Sequence, residues 1–321
     1  MKKFILFLLA LITPLFLSGC FSSTVIDEQK TASQSDGDDF FNLANDLINR
    51  NKTGPALISL DEAFNSYSLL DDVSGKTKVL LKKANIYASM GDFKKGDSLL
   101  SAEFLLLPGR NDSINYLNSL SEYYYTSQRY DSVIALSKKF KEQYFSSSLA
   151  LISTAYLALS KFALKADYEI ELTNLNSAFV ALDRDSRYPG DQLAFAYYTR
   201  AFIALADGKT DEASFWGGKA YDQDLKNEDY LAIAYDLEFL GKVAEKKGNP
   251  EKASGYFKRA SDSYFALGIE EPAIICEVKS LIHRLNTKGD NPFLKNRLKF
   301  LKDKIKDPTL LGEIEKIVPK Q

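Results

Sequence analysis

The stretch that decides the fold is residues 234–260, AYDLEFLGKVAEKKGNPEKASGYFKRA. Apolar residues recur every three or four positions on both sides of a break at Gly248-Asn249-Pro250. This spacing is typical of an amphipathic helix, whereas a half-buried strand alternates every second residue. Glycine adopts turn conformations without a Cβ penalty, and proline is tolerated in the first turn of a helix. The stretch therefore predicts a hairpin of two helices.

This hairpin has small residues where its two helices must approach each other. When Ala234 is counted as position 1, Gly241 and Ala253 occupy positions 8 and 20, and Leu237 and Phe257 occupy the interior positions 4 and 24. The pattern resembles the tetratricopeptide repeat (TPR), a helical hairpin of about 34 residues. Counted in the same way, the clearest repeats are residues 77–110, 114–147, 194–227 and 234–267.

Other parts of the chain follow the pattern less closely. Gln128 stands where the other breaks have glycine, and Gly208 and Gly248 are 40 residues apart, so DQDLKNED at 222–229 is expected to lengthen a loop. The segments near 39–70 and 147–183 match only as generic helical pairs. Because each repeat must bury a face against a neighbour, the resemblance implies an all-α, TPR-like right-handed solenoid of about seven helical hairpins over residues 39–321.

The C-terminal part of the chain predicts a capping helix. In NPFLKNRLKFLKDKIKD, residues 291–307, Leu294, Leu298, Leu301 and Ile305 form one helical stripe, and basic residues occupy the other faces. A solenoid needs a terminal element with one solvated face, so a cap is expected at about 290–318. The alternative is that the basic faces contact anionic lipid or an acidic partner.

The N-terminal segment predicts export and lipid attachment. Residues 1–20, MKKFILFLLALITPLFLSGC, begin with two lysines and continue with an apolar run. The run is shorter than the roughly 20 residues of a membrane-spanning helix and is typical of a signal peptide. Its last residues, Leu17, Ser18, Gly19 and Cys20, resemble the bacterial lipobox.

The lipobox resemblance implies a location. Residues 1–19 are then a signal peptide, Cys20 carries a diacylglyceryl group and an amino-terminal acyl chain such as palmitate, and the polar residues 20–38 form a flexible tether. Two or three acyl chains hold a protein stably at a bilayer. Phe21 is not the aspartate associated with inner-membrane retention. The expected location is therefore the outer membrane, facing the periplasm.

Composition and motifs disfavour nucleic-acid binding and catalysis. Without residues 1–19, Lys plus Arg falls from 41 to 39 against 43 Asp plus Glu, a net charge of −4 that gives no basic footprint for nucleic acid. Cys276 is the one cysteine besides Cys20, so we expect no disulfide framework and a buried inert thiol. His283 is the single histidine, and no nucleophile, phosphate-binding or metal-binding motif is found. We therefore expect no enzymatic activity, no cofactor and no metal.

In tetratricopeptide arrays, the first helix of each repeat lines a concave groove. The partner-binding residues that this resemblance implies are Asn85, Asn118, Tyr125, Phe195, Tyr198 and Phe202. The last three fall on one helical stripe, and aromatic side chains are typical anchors for a partner segment. The alternative is that this stripe packs against the neighbouring hairpin. Leu81 stands where chaperone adaptors have a lysine, which disfavours a clamp for terminal carboxylates.

These features predict a lipid-anchored, non-catalytic scaffold that binds protein partners in the bacterial cell envelope. Residues 129–162 also resemble, in rhythm, the tetratricopeptide lipoprotein of the outer-membrane β-barrel assembly machinery, with Phe145 where that family tends to have proline. Two alternatives stay open: a lipoprotein that presents a ligand to a transporter, and a docking regulator of a cell-wall enzyme. A pocket lined by the aromatic stripe would favour ligand presentation, whereas an open groove beside a packed interior would favour the scaffold.

Overall fold

The computed structural model describes residues 32–101, 110–139, 151–182 and 190–319. Within these ranges the regular secondary structure is entirely helical, which confirms the all-α prediction. The predicted signal peptide, the lipobox with Cys20, the tether up to residue 31 and Phe145 lie outside the described residues. The helices are α1 (Ala32–Asn49), α2 (Thr53–Leu69), α3 (Val73–Ser89), α4 (Phe93–Leu100), α5 (Arg110–Thr126), α6 (Tyr130–Lys139), α7 (Leu151–Ala163), α8 (Glu169–Leu182), α9 (Gly190–Ala206), α10 (Thr210–Asn227), α11 (Tyr230–Lys246), α12 (Pro250–Ala266), α13 (Glu270–Lys288), α14 (Pro292–Lys302) and α15 (Pro308–Ile317).

The helices follow one another as hairpins, from α1–α2 to α13–α14, with α15 as the last helix of the described chain. First helices stack on first helices: α3 packs on α5, α5 on α7, and α7 on α9. In the N-terminal part, buried side chains of α1, α2 and α3 form one hydrophobic cluster. A series of hairpins that bury their faces on their neighbours is the architecture of an α-solenoid, as predicted.

The turn inside each hairpin places one residue in the left-handed backbone region. Gly248 has φ 67°, and the next amide, Asn249 N, donates to Ala244 O over 2.9 Å, which ends α11. Gln128 takes the same role with φ 60°, and Arg129 N donates to Tyr124 O over 2.8 Å. The turn conformation predicted from glycine is therefore kept where the sequence departs from glycine.

Small residues at positions 8 and 20 make room for aromatic rings of the facing helix. A Cβ atom on Gly241 would lie 2.8 Å from ring carbons of Phe257. A Cβ on Gly96, at position 20 of the repeat that starts at residue 77, would lie 2.7 Å from the ring of Tyr123. The close approach is therefore between a glycine and a buried ring, and it fixes the spacing of the helices.

The segment 222–229 does not lengthen a loop, so that expectation is wrong. Helix α10 continues through the segment to Asn227, Glu228 takes a left-handed conformation with φ 54°, and α11 begins at Tyr230. Asp229 caps α11, because its Oδ1 accepts a hydrogen bond from Ala232 N over 3.0 Å. The additional residues thus extend α10 and bring two carboxyl groups, those of Asp224 and Asp229, to the start of α11.

Helix α1 begins at Ala32, inside the segment predicted to be tether up to residue 38. Gly37 lies directly under the ring of Tyr67, and the Tyr67 hydroxyl donates to Asp38 Oδ1 over 2.5 Å. A polar sequence that would be flexible by itself is helical here because α2 supplies a ring and a hydrogen bond.

The region predicted as the cap contains α14, which is the second helix of the last hairpin, and the final helix α15. Leu294, Leu298 and Leu301 are buried against α13, as the stripe predicted, and Ile305 is buried although α14 ends at Lys302.

None of the helices in the described ranges has the length and apolarity needed to cross a membrane.

The turn between α1 and α2 meets the start of α11. The Arg50 guanidinium lies over the ring of Tyr230, 5.2 Å from its centroid. A cleft of about 440 Å³ lies beside this contact. Its lining residues are Arg50, Asn51, Lys52, Tyr230, Ile233, Ser263, Ala266 and Leu267. The first hairpin therefore contacts a hairpin that is remote from it in sequence.

Candidate functional site

The candidate site is a cavity of about 400 Å³ formed by α9, the end of α10 and the start of α11. We call it the acidic–aromatic pocket. Its lining residues are Asp191, Phe195, Tyr198, Asp224, Asp229, Ala232, Tyr235 and Asp236. Carboxyl groups and aromatic rings thus share a space large enough for a small molecule or a side chain.

Neighbouring rings hold the aromatic walls in place. The Phe195 ring packs on Tyr156 with 4.6 Å between centroids, and the Tyr198 ring packs on Phe239 with 5.3 Å. Tyr235 is 51% exposed, and its ring meets Tyr264 edge to face. Two walls are therefore fixed by packing, and the third lies at the mouth of the pocket.

The carboxyl groups on the floor are far less accessible than the rings. The side chain of Asp236 is only 1% exposed and that of Asp224 is also buried. No amide, hydroxyl or basic group among the described residues donates a hydrogen bond to Oδ2 of Asp236. Asp224 and Asp236 both line the pocket, and the charge of Asp224 acts on the carboxyl group of Asp236.

This arrangement raises the pKa values of the carboxyl groups on the floor of the pocket. Burial raises the pKa of Asp236, and the negative charge of Asp224 raises it further. Burial likewise raises the pKa of Asp224, with a contribution from the charge of Asp229. The pKa of Asp229 is also raised by burial, against its hydrogen bonds from the α11 amides. The pocket therefore keeps a proton that exposed aspartates would release.

The charge of a basic residue on α3, Lys82, acts on this region. Burial raises the pKa values of Asp229 and Glu122, and the positive charge of Lys82 opposes this rise in both groups. Glu122 lies on α5 and accepts a hydrogen bond from Asn85 Nδ2 over 2.8 Å. First helices of several hairpins therefore present polar groups to one shared region.

The six predicted partner-binding residues are in different surroundings. Phe195 and Tyr198 line the pocket together, whereas Phe202 is 36% exposed and meets Phe162 edge to face outside it. The ring of Tyr125 packs between Tyr130 and Tyr156.

The two predicted asparagines have partners within the fold. Asn118 is buried, and its Oδ1 accepts from Ser153 N over 3.1 Å. Asn85 donates to Glu122. Partner contact by any of the six residues remains a prediction.

Sequence reasoning missed the four aspartates of the pocket. Two of them, Asp224 and Asp229, lie in the segment interpreted as loop, and Asp236 is a single acid in an apolar helix. The available signal in the sequence was an acid at position 3 of the repeat. This position faces the preceding hairpin, and Asp236 stands there in place of a neutral residue. Acids on three helices have no common motif, because only the stacking of the hairpins brings them together.

The residues considered for chemistry in the sequence lie outside the pocket. Cys276 is buried, and burial raises the pKa of its thiol to about 12, which agrees with an inert thiol. The His283 ring stacks on Phe257, and its Nε2 lies 3.0 Å from Glu245 Oε1. Among the described residues, no group of three or more His, Cys, Asp or Glu side chains is arranged to hold a metal ion.

Comparisons with known proteins agree with the fold. The chain matches no known protein family and no curated protein. It is similar to the crystal structure of a signal transduction ATPase with numerous domains (STAND) that has a tetratricopeptide repeat sensor, from Pyrococcus horikoshii. The TM-score is 0.59 at 13% identity, and the match covers 92% of this chain and 51% of the other. The chain spans about half the length of that protein, and the likeness shows a TPR-like helical-repeat fold.

Proposed function

We propose that this protein is a lipid-anchored, non-catalytic scaffold that binds a protein partner in the bacterial cell envelope. The observation that carries the proposal is the array of stacked, TPR-like helical hairpins. Helical-repeat arrays bind partners along extended surfaces built from successive repeats. The lipobox resemblance at Leu17 to Cys20 supports the anchor, and Phe21 supports the outer membrane.

Site-specific crosslinking tests the scaffold. A photo-crosslinking residue at Tyr235, which is exposed at the mouth of the pocket, is expected to trap a partner in living cells. The matched control is the same residue at Phe215, which is 56% exposed on α10 and does not line the pocket. The protein is then purified from detergent-solubilised membranes. Recovery of the protein alone from the Tyr235 variant would contradict the scaffold.

A Cys20→Ser variant tests the anchor. The variant is expected to lose labelled palmitate and to leave the membrane fraction, because the acyl chains supply the bilayer affinity. If it fractionates with membranes and carries as much label as wild type, the lipoprotein assignment is wrong.

Ligand presentation to a transporter is the second candidate. The specific observation in its favour is that Phe195 and Tyr198, two residues of the predicted stripe, line a cavity of about 400 Å³, within the usual size of small-molecule sites. Native mass spectrometry of the protein purified from its own membranes separates the two candidates. A small molecule that is retained by wild type and lost in a Phe195→Ala variant would favour presentation.

A further inference from the structure

We infer that the acidic–aromatic pocket receives the cationic side chain, a lysine or an arginine, of the bound partner. This inference rests on the proposed scaffold function. It assigns to the pocket a ligand chemistry, an organic cation with an apolar stem, and it makes the pocket the point at which the scaffold recognises its partner. Charge, an unpartnered buried atom and the aromatic walls support it independently of one another.

The charge of the pocket favours a cationic ligand. Four carboxyl groups line the pocket, those of Asp191, Asp224, Asp229 and Asp236. The basic group whose charge acts on Asp229 is Lys82 of α3. Carboxylates in a poorly solvated space attract a cation more strongly than carboxylates on an open surface. The pocket therefore favours an incoming positive charge.

A buried oxygen atom of Asp236 favours a ligand that donates hydrogen bonds. Asp236 is 1% exposed and lines the pocket, and among the described residues no N–H or hydroxyl group donates to its Oδ2. A buried acceptor without a donor is unfavourable, and more so when it is charged. Ammonium and guanidinium groups bring both positive charge and several N–H donors. A basic side chain would thus complete the hydrogen bonding of Asp236.

The aromatic walls favour a ligand with an apolar stem. Phe195, Tyr198 and Tyr235 provide aromatic faces beside the carboxyl groups. A cation over an aromatic face is attracted by the ring, and the methylene groups of lysine or arginine pack against apolar surface. An inorganic ion would use the carboxyl groups alone, whereas a basic side chain uses the acids and the rings together.

Binding should be coupled to proton release. Burial and the neighbouring carboxylates raise the pKa values of Asp236 and Asp224, so these groups must release a proton before a cation can bind to their ionised forms. The charged and titratable groups around it are Asp191 and Tyr198 of α9, Asp224 of α10, Asp229, Tyr235 and Glu238 of α11, Tyr264 of α12 and Lys82 of α3. Since a cation binds best to ionised carboxylates, affinity should rise with pH until the ligand itself loses its proton.

Ligand-observed NMR titration of the full chain in detergent tests the inference without a partner. The probes are acetyl-Gly-Lys-Gly-amide, its arginine analogue and its Nε-acetyl-lysine analogue. We expect both basic peptides to bind and acetylation to weaken binding about tenfold or more, since it removes the charge that rings and carboxylates recognise. Affinity for the lysine peptide should increase between about pH 6 and pH 8, by at most about tenfold per pH unit if one proton is released.

Asp236→Asn keeps the shape of the side chain and removes its charge. This variant should weaken binding of the lysine peptide about tenfold and flatten the pH dependence, as loss of a charge-assisted contact predicts. Asp222→Asn, an exposed change on α10 outside the pocket, should leave both unchanged. Tyr235→Ala, at the exposed mouth, gives a second weakened variant that does not alter the floor.

Several results would overturn the inference. One is equal binding of the acetylated peptide, and another is wild-type affinity in both Asp236→Asn and Tyr235→Ala. A third is displacement of the lysine peptide by millimolar calcium, since calcium would bind the carboxyl groups without contacting the aromatic rings. Much tighter binding of free 1,5-diaminopentane than of either peptide would overturn it in favour of a free amine ligand. If the Tyr235 crosslink traps a partner equally well in the Asp236→Asn background, the scaffold stands and the cation inference falls.

Discussion

Replacing Gly241 by alanine tests whether the close approach of α11 and α12 sets the repeat geometry. The added Cβ would lie 2.8 Å from two ring carbons of Phe257 and 3.1 Å from a third. Phe257 is completely buried in the cluster that joins α11, α12 and α13, so its ring has no space into which to rotate. Gly255 on α12 is the matched control, because a Cβ there meets no atom within 4 Å.

The two substitutions share one favourable contribution and differ in one unfavourable contribution. Alanine is preferred over glycine inside a helix by about 1 kcal/mol, and this applies at both sites. Overpacking a filled core costs about 1–3 kcal/mol, and this applies only at Gly241. We therefore expect Gly255→Ala to raise the free energy of unfolding by about 1 kcal/mol and Gly241→Ala to lower it by up to about 2 kcal/mol.

Urea denaturation followed by far-ultraviolet circular dichroism measures both changes. Because repeat proteins can unfold in parts, amide hydrogen exchange in α11 and α12 should accompany it to report the local stability. The decisive quantity is the difference between the two variants, in which the helix preference cancels. If both variants are stabilised equally, the ring of Phe257 does not limit the spacing and the explanation for the small residue at position 8 is wrong.

Three further predictions concern the turns, the pocket and a buried tyrosine. Gln128→Gly should stabilise the protein by about 0.5–1 kcal/mol in thermal denaturation, because relief of a left-handed residue at φ 60° outweighs the backbone entropy that glycine adds to the unfolded chain. A loss of stability would mean that the glutamine side chain makes a needed contact. Folding raises the pKa of Asp236, so the folded state holds the proton at a pH where the unfolded chain has released it. Stability should therefore fall as the pH rises from about 5 to about 9, and Asp236→Asn should flatten that slope. An unchanged slope in urea titrations at several pH values would exclude Asp236 as its source. Tyr123→Phe should lower the free energy of unfolding by about 1 kcal/mol, because the hydroxyl donates a hydrogen bond to Asp97 Oδ1 over 2.7 Å. No change in the same urea assay would show that the hydrogen bond from Arg129 is sufficient for Asp97.

The fold was largely predictable because its signals are local. Gly248 and Pro250 mark a turn and a helix start within a few residues of each other, and Gly241 with Phe257 records the packing of one hairpin. Gln128 shows the same logic, since the flanking repeat pattern identified a turn that its residue type did not. Signals of this kind repeat along the chain, so that errors at one hairpin do not change the architecture.

The misassigned segments depend on contacts that the local sequence does not reveal. Residues 32–38 are polar, yet the ring and hydroxyl of Tyr67 stabilise them as helix. Residues 222–229 contain five charged side chains in a stretch that favours a loop, yet they extend α10. For residues 32–38, the deciding contacts come from α2, about 30 residues further along the chain.

The candidate site was predictable only in part for a related reason. The stripe of Phe195 and Tyr198 follows from helical periodicity, and both residues line the pocket. The acids come from separate helices, and their pKa values are raised only when stacking buries Asp224 and Asp236 near each other. A property that depends on two hairpins cannot be inferred from the pattern of one.

The contact of Arg50 with Tyr230 has a consequence for cooperativity. In an open series of repeats, each hairpin is stabilised only by the hairpins beside it, and the ends can fray independently. Here the turn after α1 rests on the first residue of α11, so fraying at the amino-terminal end also uncovers Ile233 and Leu267. The stabilities of the two distant segments are therefore coupled, and melting of either one lowers the stability of the other.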